Sequence, residues 1–503
     1  MNVALLLEMA ADGFGDRLAI GSRHSGGLTY AMVLARARAG AAVLQAAAPG
    51  GTHVAMVEPN GAHVPVTLFA AAWAGRSYAP LNYRLPPEGL AALLSRLDSP
   101  FVVGSAPVES VTAESVTAES VTCMPVAEWM AADQPSTNAY PADPDQPAVL
   151  LFTSGTSAEP KAAVLDHDHL CAYVFNTSEF ASAAEDEAVL VAVPPFHIAG
   201  VSAVLSAFYL GRRIVALPAF SAEDWLDTAQ REAVTHAFLV PTMLARIVVA
   251  AEADPTFSLP ALRSLAYGGA RMPEPVLERA LKRFPGVDFV NAYGLTETSS
   301  TVCVLGPEEH RAALASSDPL ARRRLASVGR PVEGIEVRVV ADESASASTS
   351  TERPGELQLR GAQVSGAYVG HPSQVDEEGW LHTGDHGWID DEGYVFVVGR
   401  GDDTIIRGGE NISPSEIEDV LLRHPSVAAA AVVGLADEEW GERVGAMIVL
   451  RQGMGTNGEE LFRWARERLG SLKAPEIIVL RSELPSTATG KILRRQIRAE
   501  LSG

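Results

Sequence analysis

The sequence predicts an α/β protein in two unequal parts. A large N-terminal domain, residues 1–400, has parallel-type sheets with flanking helices and ends in a distorted β-rich subdomain; a small α+β domain follows over 403–503, with a hinge near 400–403. Three observations predict this. At 503 residues the chain exceeds what a single hydrophobic core organises. Through Gly294 short apolar runs alternate with helical stretches, the pattern that builds a parallel sheet covered by helices. After about residue 325 the texture becomes β-rich, and beyond Gly399-Arg400-Gly401-Asp402-Asp403 an αββαβ run occupies a separate segment.

In order, Met1 to Glu8 has no basic leader and an early Glu, so it reads as a first helix and not a signal peptide. Ala31 to Ala48 is an Ala-rich helix, His53 to Glu58 a strand, Asn60 to Ala74 a helix stopped at Gly75, and Ser77 to Pro80 a strand. From Glu109 to Thr122 the unit Glu-Ser-Val-Thr-Ala recurs, with Cys123 replacing the last Ala; units of this length cannot form a solenoid and imply a surface excursion. Ala148 to Phe152 is a buried strand. The long apolar region Ala188 to Leu210 is broken by Pro194, Pro195, His197 and Gly200, which predicts a strand, a turn and a buried helix in place of a membrane span. Arg213 to Leu217 and His236 to Val240 are strands followed by helices. Leu265 to Ala270 is a strand running into a glycine pair, Pro273 opens a helix, and Phe289 to Gly294 ends another strand. Ile335 to Val340, Glu356 to Arg360 and Gly393 to Val398 are strands, with Ala341 to Arg353 an exposed loop between the first two. The last domain reads as helix Ser415 to Leu422, strands Ala428 to Gly434 and Gly445 to Leu450, helix Gly458 to Leu469 and strand Ile477 to Leu480.

The net charge of −23 argues against nucleic acid and anionic membranes as partners. Any anionic substrate must therefore be met by a local cluster of Arg, Lys and backbone donors. Cys123, Cys171 and Cys303 are widely spaced without metal-site spacing, which suits buried thiols in a reducing cytoplasm.

The chemistry starts at Thr153-Ser154-Gly155-Thr156-Ser157-Ala158-Glu159-Pro160-Lys161. Small hydroxyl residues and glycine after a strand leave backbone N–H groups, hydroxyls and one ammonium free to wrap an oxyanion. It is no Walker A loop, because Pro160 stands at the second glycine and Ala162 follows the lysine. Further segments join it: Pro195-Phe196-His197, Tyr293-Gly294-Leu295-Thr296-Glu297, Trp380-Leu381-His382-Thr383-Gly384-Asp385, Gly399-Arg400 with Asp402-Asp403, Gly408-Gly409-Glu410-Asn411 through Glu418, and Gly490-Lys491. In this order they closely resemble the adenylate-forming (AMP-binding) superfamily of acyl-CoA synthetases, carrier-protein adenylation domains and luciferases, over nearly the whole chain.

The resemblance implies a two-step, AMP-forming acid–thiol ligase. A carboxylate attacks the α-phosphate of ATP to give an acyl-adenylate and pyrophosphate; the small domain rotates; a thiol then attacks the acyl carbon and releases AMP. It implies that Thr153, Ser154, Gly155, Thr156, Ser157, Ala158 and Lys161 hold the β- and γ-phosphates. Thr296 touches the α-phosphate and Glu297 ligates Mg²⁺. Tyr293 and Gly294 adjoin adenine, Asn291 reads its edge, Gly268, Gly269 and Ala270 admit the purine, and Asp385 and Arg400 reach the ribose. Asp402 belongs to the hinge, and Lys491 stabilises charge during adenylation. His197 gates the acyl pocket, which Val201, Tyr267 and Gly268 help to line. Gly408, Gly409 and Glu410 border the pantetheine arm of coenzyme A, and Trp440 is a platform for its adenine. The expected partners are a small carboxylic acid or its adenylate and coenzyme A.

Relatives usually read Thr-Ser-Gly-Thr-Thr-Gly-x-Pro-Lys-Gly, whereas here Ala158 and Ala162 replace two glycines. If position 158 needs φ > 0, the added Cβ costs about 1–2 kcal/mol. The expectation is slow or absent adenylation with thioester formation from a supplied acyl-adenylate preserved, and a separate adenylating enzyme as a partner. The acid expected is hydrophobic or aromatic, because Ile198 to Phe208 has no carboxylate for an amino group. The alternatives are a carrier-protein adenylating enzyme and, outside catalysis, a pseudoenzyme that senses a nucleotide or acyl-adenylate.

Overall fold

The computed structural model describes residues 1–47, 52–104, 122–133, 147–153, 160–340, 354–400, 403–407, 410–437, 440–487 and 491–502, with only the backbone of 410 and 411. Among them the chain forms four sheets. In a nine-stranded sheet, Leu18–Ile20, Arg213–Ala216, Ala188–Val191, His236–Leu239, Ser264–Gly268 and Asp288–Leu295 lie in this order and run parallel to one another, with antiparallel strands at both ends. A seven-stranded sheet places Pro147–Thr153 parallel to Ser77–Pro80 and antiparallel to Lys161–Asp166. The β-rich section is a four-stranded antiparallel sheet of Ile335–Val340, Gly355–Gly361, Leu381–Ile389 and Val395–Arg400.

The central strands are apolar because helices cover both of their faces. Leu190, Leu239, Leu265 and Phe289 are buried, packed with Trp73, Phe208 and Trp225 from the flanking helices. Helix ends follow local chemistry. Ser221 accepts from the Asp224 amide at 3.0 Å to open Ala222–Arg231, the usual satisfaction of a free helix N–H. Glu274–Arg283 begins with a carboxylate and ends on Lys282 and Arg283, matching the helix dipole.

The fourth sheet joins Glu410–Ile412, Ile405–Arg407, Gly441–Leu450, Val427–Asp437 and Ile477–Arg481 around a core of its own that includes Ile405, Ile417, Val432, Ile448 and Leu461. The expected helix, strand pair, helix and strand are present, preceded by two short strands and followed by helix Arg494–Ser502, none of which was expected.

Three expected elements differ. The helix expected from Asn60 begins at His63, because the Asn60 amide donates to the Val193 and Leu217 carbonyls at 2.9 and 3.3 Å. The strand that opens the apolar region at Ala188 ends at Val191, short of Pro194. Lys161, expected to close a loop, opens a strand, and Ala162 within it is buried opposite Phe152. The repeat from Glu109 to Val121 and the loop from Ala341 to Arg353 lie outside the described residues, while the end of the repeat, Thr122, opens the short strand Thr122–Met124.

Candidate active site

Parallel α/β sheets bind ligands beyond the carboxyl ends of their strands, and the candidate residues cluster at such ends. Thr153 closes one strand, Gly268 closes another, Asn291 to Leu295 finish a third, and His197 follows the turn after Val191. Strand Ala367–Tyr368 ties the two large sheets together. It pairs with Ala163 and Val164, while the Ser365 amide donates to the Glu297 carbonyl at 2.8 Å.

Glu297 lies in the short turn Thr296–Thr298, which Thr298 fixes by accepting the Leu295 amide at 2.9 Å and donating to the Ser300 carbonyl at 2.8 Å. The Tyr368 hydroxyl donates to the Glu297 carboxylate, and the Lys161 ammonium sits 5.8 Å from the Tyr368 ring centre. Burial raises the Tyr368 pKa, and Glu297 raises it further, so the phenol keeps its proton as donor. No group of three or more His, Cys, Asp or Glu capable of holding a metal occurs among the described residues. One oriented carboxylate fits Mg²⁺, which takes few protein ligands and completes its shell with phosphate oxygens and water.

Asp385 is a second focus. Oδ2 accepts from the Tyr293 hydroxyl at 2.7 Å, and Oδ1 lies 2.9 Å from Arg400 Nε. Asp385 and Arg400 are register partners on adjacent strands, so the sheet itself sets this pair. Burial raises the Asp385 pKa; Arg400, Tyr293 and Lys491 oppose that shift. A carboxylate has about four acceptor directions, so capacity remains for hydroxyl donors. The Asn291 amide donates to the Ser327 carbonyl at 3.1 Å, leaving its own oxygen as acceptor. Gly269 has φ +78°, a conformation that favours glycine, and stands exposed beside Ala270. Gly294 is required by close approach, since a Cβ there would come within 1.7 Å of the Ser300 carbonyl oxygen.

His197 caps helix Ile198–Leu210, its ring centroid 4.7 Å from that of Phe196. Its Nε2 is buried without a hydrogen-bond partner. Burial, Arg84 and Lys491 push its pKa down to about 4, so the ring is neutral at neutral pH. Lys491 is solvent-accessible, yet enough protein surrounds it for desolvation, with Arg400, to lower its pKa against the pull of Asp385, Asp403 and Glu297. The C-terminal lysine thus shares one electrostatic neighbourhood with Glu297, Asp385, Arg400 and His197.

The remaining candidates are placed as follows. Val201 is buried one turn into the helix after His197. Tyr267, expected to line the acyl pocket, is fully buried in the main core with its hydroxyl 2.8 Å from His310 Nε2. It can shape a pocket only by packing behind Gly268. Trp440 is 43% exposed, with the Arg407 guanidinium 5.5 Å from its ring centre. Ser154, Gly155, Thr156, Ser157, Ala158, Asp402, Gly408 and Gly409 lie outside the described residues, as does the Glu410 side chain. Sequence reasoning missed Tyr368 and Arg84. Only a motif for the Gly-Ala-Tyr segment could have exposed Tyr368, since a two-residue strand gives no periodicity.

The family profile described as AMP-binding enzyme matches residues 7–369, and that of the AMP-binding enzyme C-terminal domain matches 416–491. The chain belongs to the AMP-binding enzyme family. Among curated members of that family, the feruloyl-CoA synthase of Amycolatopsis sp is 35% identical over 485 residues, covering 95% of this chain and 94% of the relative. The 2-succinylbenzoate–CoA ligase of Bacillus cereus strain Q1 is 32% identical over 456 residues, 89% and 88% of the two chains. Among solved AMP-binding structures, o-succinylbenzoate CoA synthetase from Bacillus subtilis in complex with its acyl-adenylate superposes with TM-score 0.82 at 28% identity, covering 98% and 97%. The amide bond synthetase from Marinactinospora thermotolerans gives TM-score 0.86 at 27% identity over 100% of both chains. With this membership the protein is an AMP-forming acid–thiol ligase of the acyl-CoA synthetase group. No described helix is long and apolar enough to cross a membrane.

Proposed function

We propose that the protein converts an aromatic or otherwise hydrophobic carboxylic acid into its coenzyme A thioester through an acyl-adenylate, with the first half-reaction slower than the second. The carrying observation is that Lys491 lies within electrostatic reach of Glu297, Asp385, Arg400 and His197, with Arg400 paired to Asp385 at 2.9 Å.

In the first step a carboxylate oxygen of the acid attacks the α-phosphorus of ATP, the bond to the bridging oxygen breaks, and pyrophosphate leaves. Lys491 faces the charge that develops there, where a preorganised donor is worth most. Asp385 and Arg400 hold the ribose, Tyr293 and Asn291 hold the adenine, and Lys161 meets the departing phosphates. Glu297, oriented by Tyr368, and Thr296 would hold Mg²⁺ and phosphate, the cation supplying charge neutralisation. In the second step the coenzyme A sulfur attacks the acyl carbon, AMP leaves, and the thiol proton passes to solvent. A neutral His197 can flank that carbon without drawing the adenylate into an ion pair.

Support for the acid class is the helix after His197, whose Val201, Val204 and Leu205 are buried and which carries no carboxylate. The names of the two curated relatives point the same way, since both refer to aromatic acids. Support for a slow first step is Ala158 in the phosphate loop. Ala162, the other departure, occupies an ordinary strand position where a Cβ costs nothing. The test is Ala158→Gly: faster pyrophosphate release with unchanged conversion of a supplied adenylate is expected, and no gain would discard the slow-loop reading. The hinge near 400–403 and the division at that point belong to this same proposal.

A further inference from the structure

Helix Pro414–Leu422 is held from two sides. Toward the large sheets, Asp419 receives both terminal nitrogens of Arg271, Nη1 at 3.1 Å, and Nη1 is also 3.4 Å from the Ser415 carbonyl. Just past the helix end, Arg423 Nη2 lies 2.6 Å from Glu274 Oε2. Ser415, Asp419 and Arg423 are spaced at i, i+4 and i+8, one face of the helix. Arg271 and Glu274 immediately follow Gly268, Gly269 and Ala270 in the candidate nucleotide site. Elsewhere on the helix, Glu418 accepts from Arg494 Nη1 and Nη2 at 2.7 and 3.1 Å and from the Val432 amide at 2.8 Å. Arg494, which opens the last helix, lies three residues beyond Lys491. The helix therefore links the nucleotide-side loop to the segment that carries Lys491.

We propose that the Arg271–Asp419 and Glu274–Arg423 pairs are a breakable clamp that positions Lys491 for adenylation and must open before thioester formation. This rests on the two-step reading above. The inner joint and the outer joint differ in strength. Glu418 is buried and triply hydrogen-bonded, so the helix and the Lys491 segment move as one piece. In the outer pairs the Arg271 and Arg423 side chains are 34% and 55% exposed. Ion pairs of that exposure contribute little and are screened by salt. A clamp that opens every turnover needs that weakness, and its bidentate arm supplies direction. Arg271, Glu274, Asp419 and Arg423 are positioning residues that act through Lys491.

The test compares Asp419→Asn, Arg423→Gln and the swap Arg271→Asp/Asp419→Arg with the unaltered protein. Pyrophosphate release from acid and Mg-ATP without coenzyme A is read beside acyl-CoA formation from a supplied acyl-adenylate. Each single variant is expected to lose about two- to fivefold in pyrophosphate kcat. KM for ATP stays unchanged and the supplied adenylate reacts no more slowly; the swap restores most of the loss. Equal losses in both half-reactions, or no loss in either, overturn the clamp. Spin labels on the two halves give a distance distribution without substrate, expected to broaden in the variants and overturning the clamp if it does not. If the unaltered protein releases no pyrophosphate with any acid, it is the adenylation reading that has failed, and the label distances alone decide the clamp.

Discussion

The Tyr293 hydroxyl donates to Asp385 Oδ2 at 2.7 Å, joining two residues 92 positions apart in sequence. Tyr293 lies near the end of a strand of the nine-stranded sheet and Asp385 in the four-stranded sheet, so this bond ties the two sheets together at the candidate site. Arg400 on the other carboxylate oxygen completes the arrangement.

Replacing Asp385 with Asn should weaken AMP binding by roughly five- to hundredfold, the range for losing hydrogen bonds to a charged acceptor. Tyr293→Phe should cost less, because Asp385 keeps Arg400. Calorimetric titration with AMP checks both; unchanged affinity in Asp385→Asn would remove this carboxylate from the nucleotide site.

Tyr368→Phe leaves the shape of the site intact and removes the donor that orients Glu297. The expected result is a higher Mg²⁺ concentration for half-maximal pyrophosphate release, by about two- to tenfold for one lost hydrogen bond of this kind. A Mg²⁺ titration of the variant reads this directly. An unshifted midpoint with normal activity would mean that Glu297 needs no such support.

Lys491→Ala should reduce pyrophosphate release by about 10²–10³, as for loss of a preorganised electrostatic group. Conversion of a supplied acyl-adenylate should change far less if, as proposed, the lysine serves only the first transfer. Comparable losses in both half-reactions would contradict that division.

Stability should fall on mild acidification before the carboxylates titrate. His167 and His197 have folded-state pKa values pushed down to about 4, each chiefly by burial, and His236 is lowered in the same way. The unfolded chain takes up those protons first, near the ordinary value of about 6.5. The stabilisation is therefore complete above that pH and is lost as pH falls toward 4. Urea unfolding from pH 7 to pH 4.5 measures it. His167 accepts the Val3 amide at 3.1 Å, so His167→Gln should flatten part of the slope.

The candidate nucleotide residues of the nine-stranded sheet were legible as elements because they sit in contiguous runs at strand ends. Gly268 and Tyr293 to Leu295 close strands as their runs implied, whereas Thr383 to Asp385 lie inside strand Leu381–Ile389, which was not expected. Contacts made across the sequence were not legible. Tyr368 reaches Glu297 through a two-residue strand, and Arg271 meets Asp419 across 148 positions. The burial of Tyr267 against His310 was not legible either, because His310 belongs to a distant helix. Helix Arg494–Ser502 escaped notice because only Ile497 and Leu501 on it are buried, too thin a stripe to read.

The most direct measurement offers the purified protein a panel of aromatic and aliphatic acids with Mg-ATP and coenzyme A, following pyrophosphate and acyl-CoA, beside synthetic acyl-adenylates with coenzyme A alone. The account predicts acyl-CoA in both arms, acid-dependent pyrophosphate in the first, and faster turnover from the supplied adenylate. Bound nucleotide with no acyl-CoA in either arm would contradict it and leave a sensor of nucleotide or adenylate in its place.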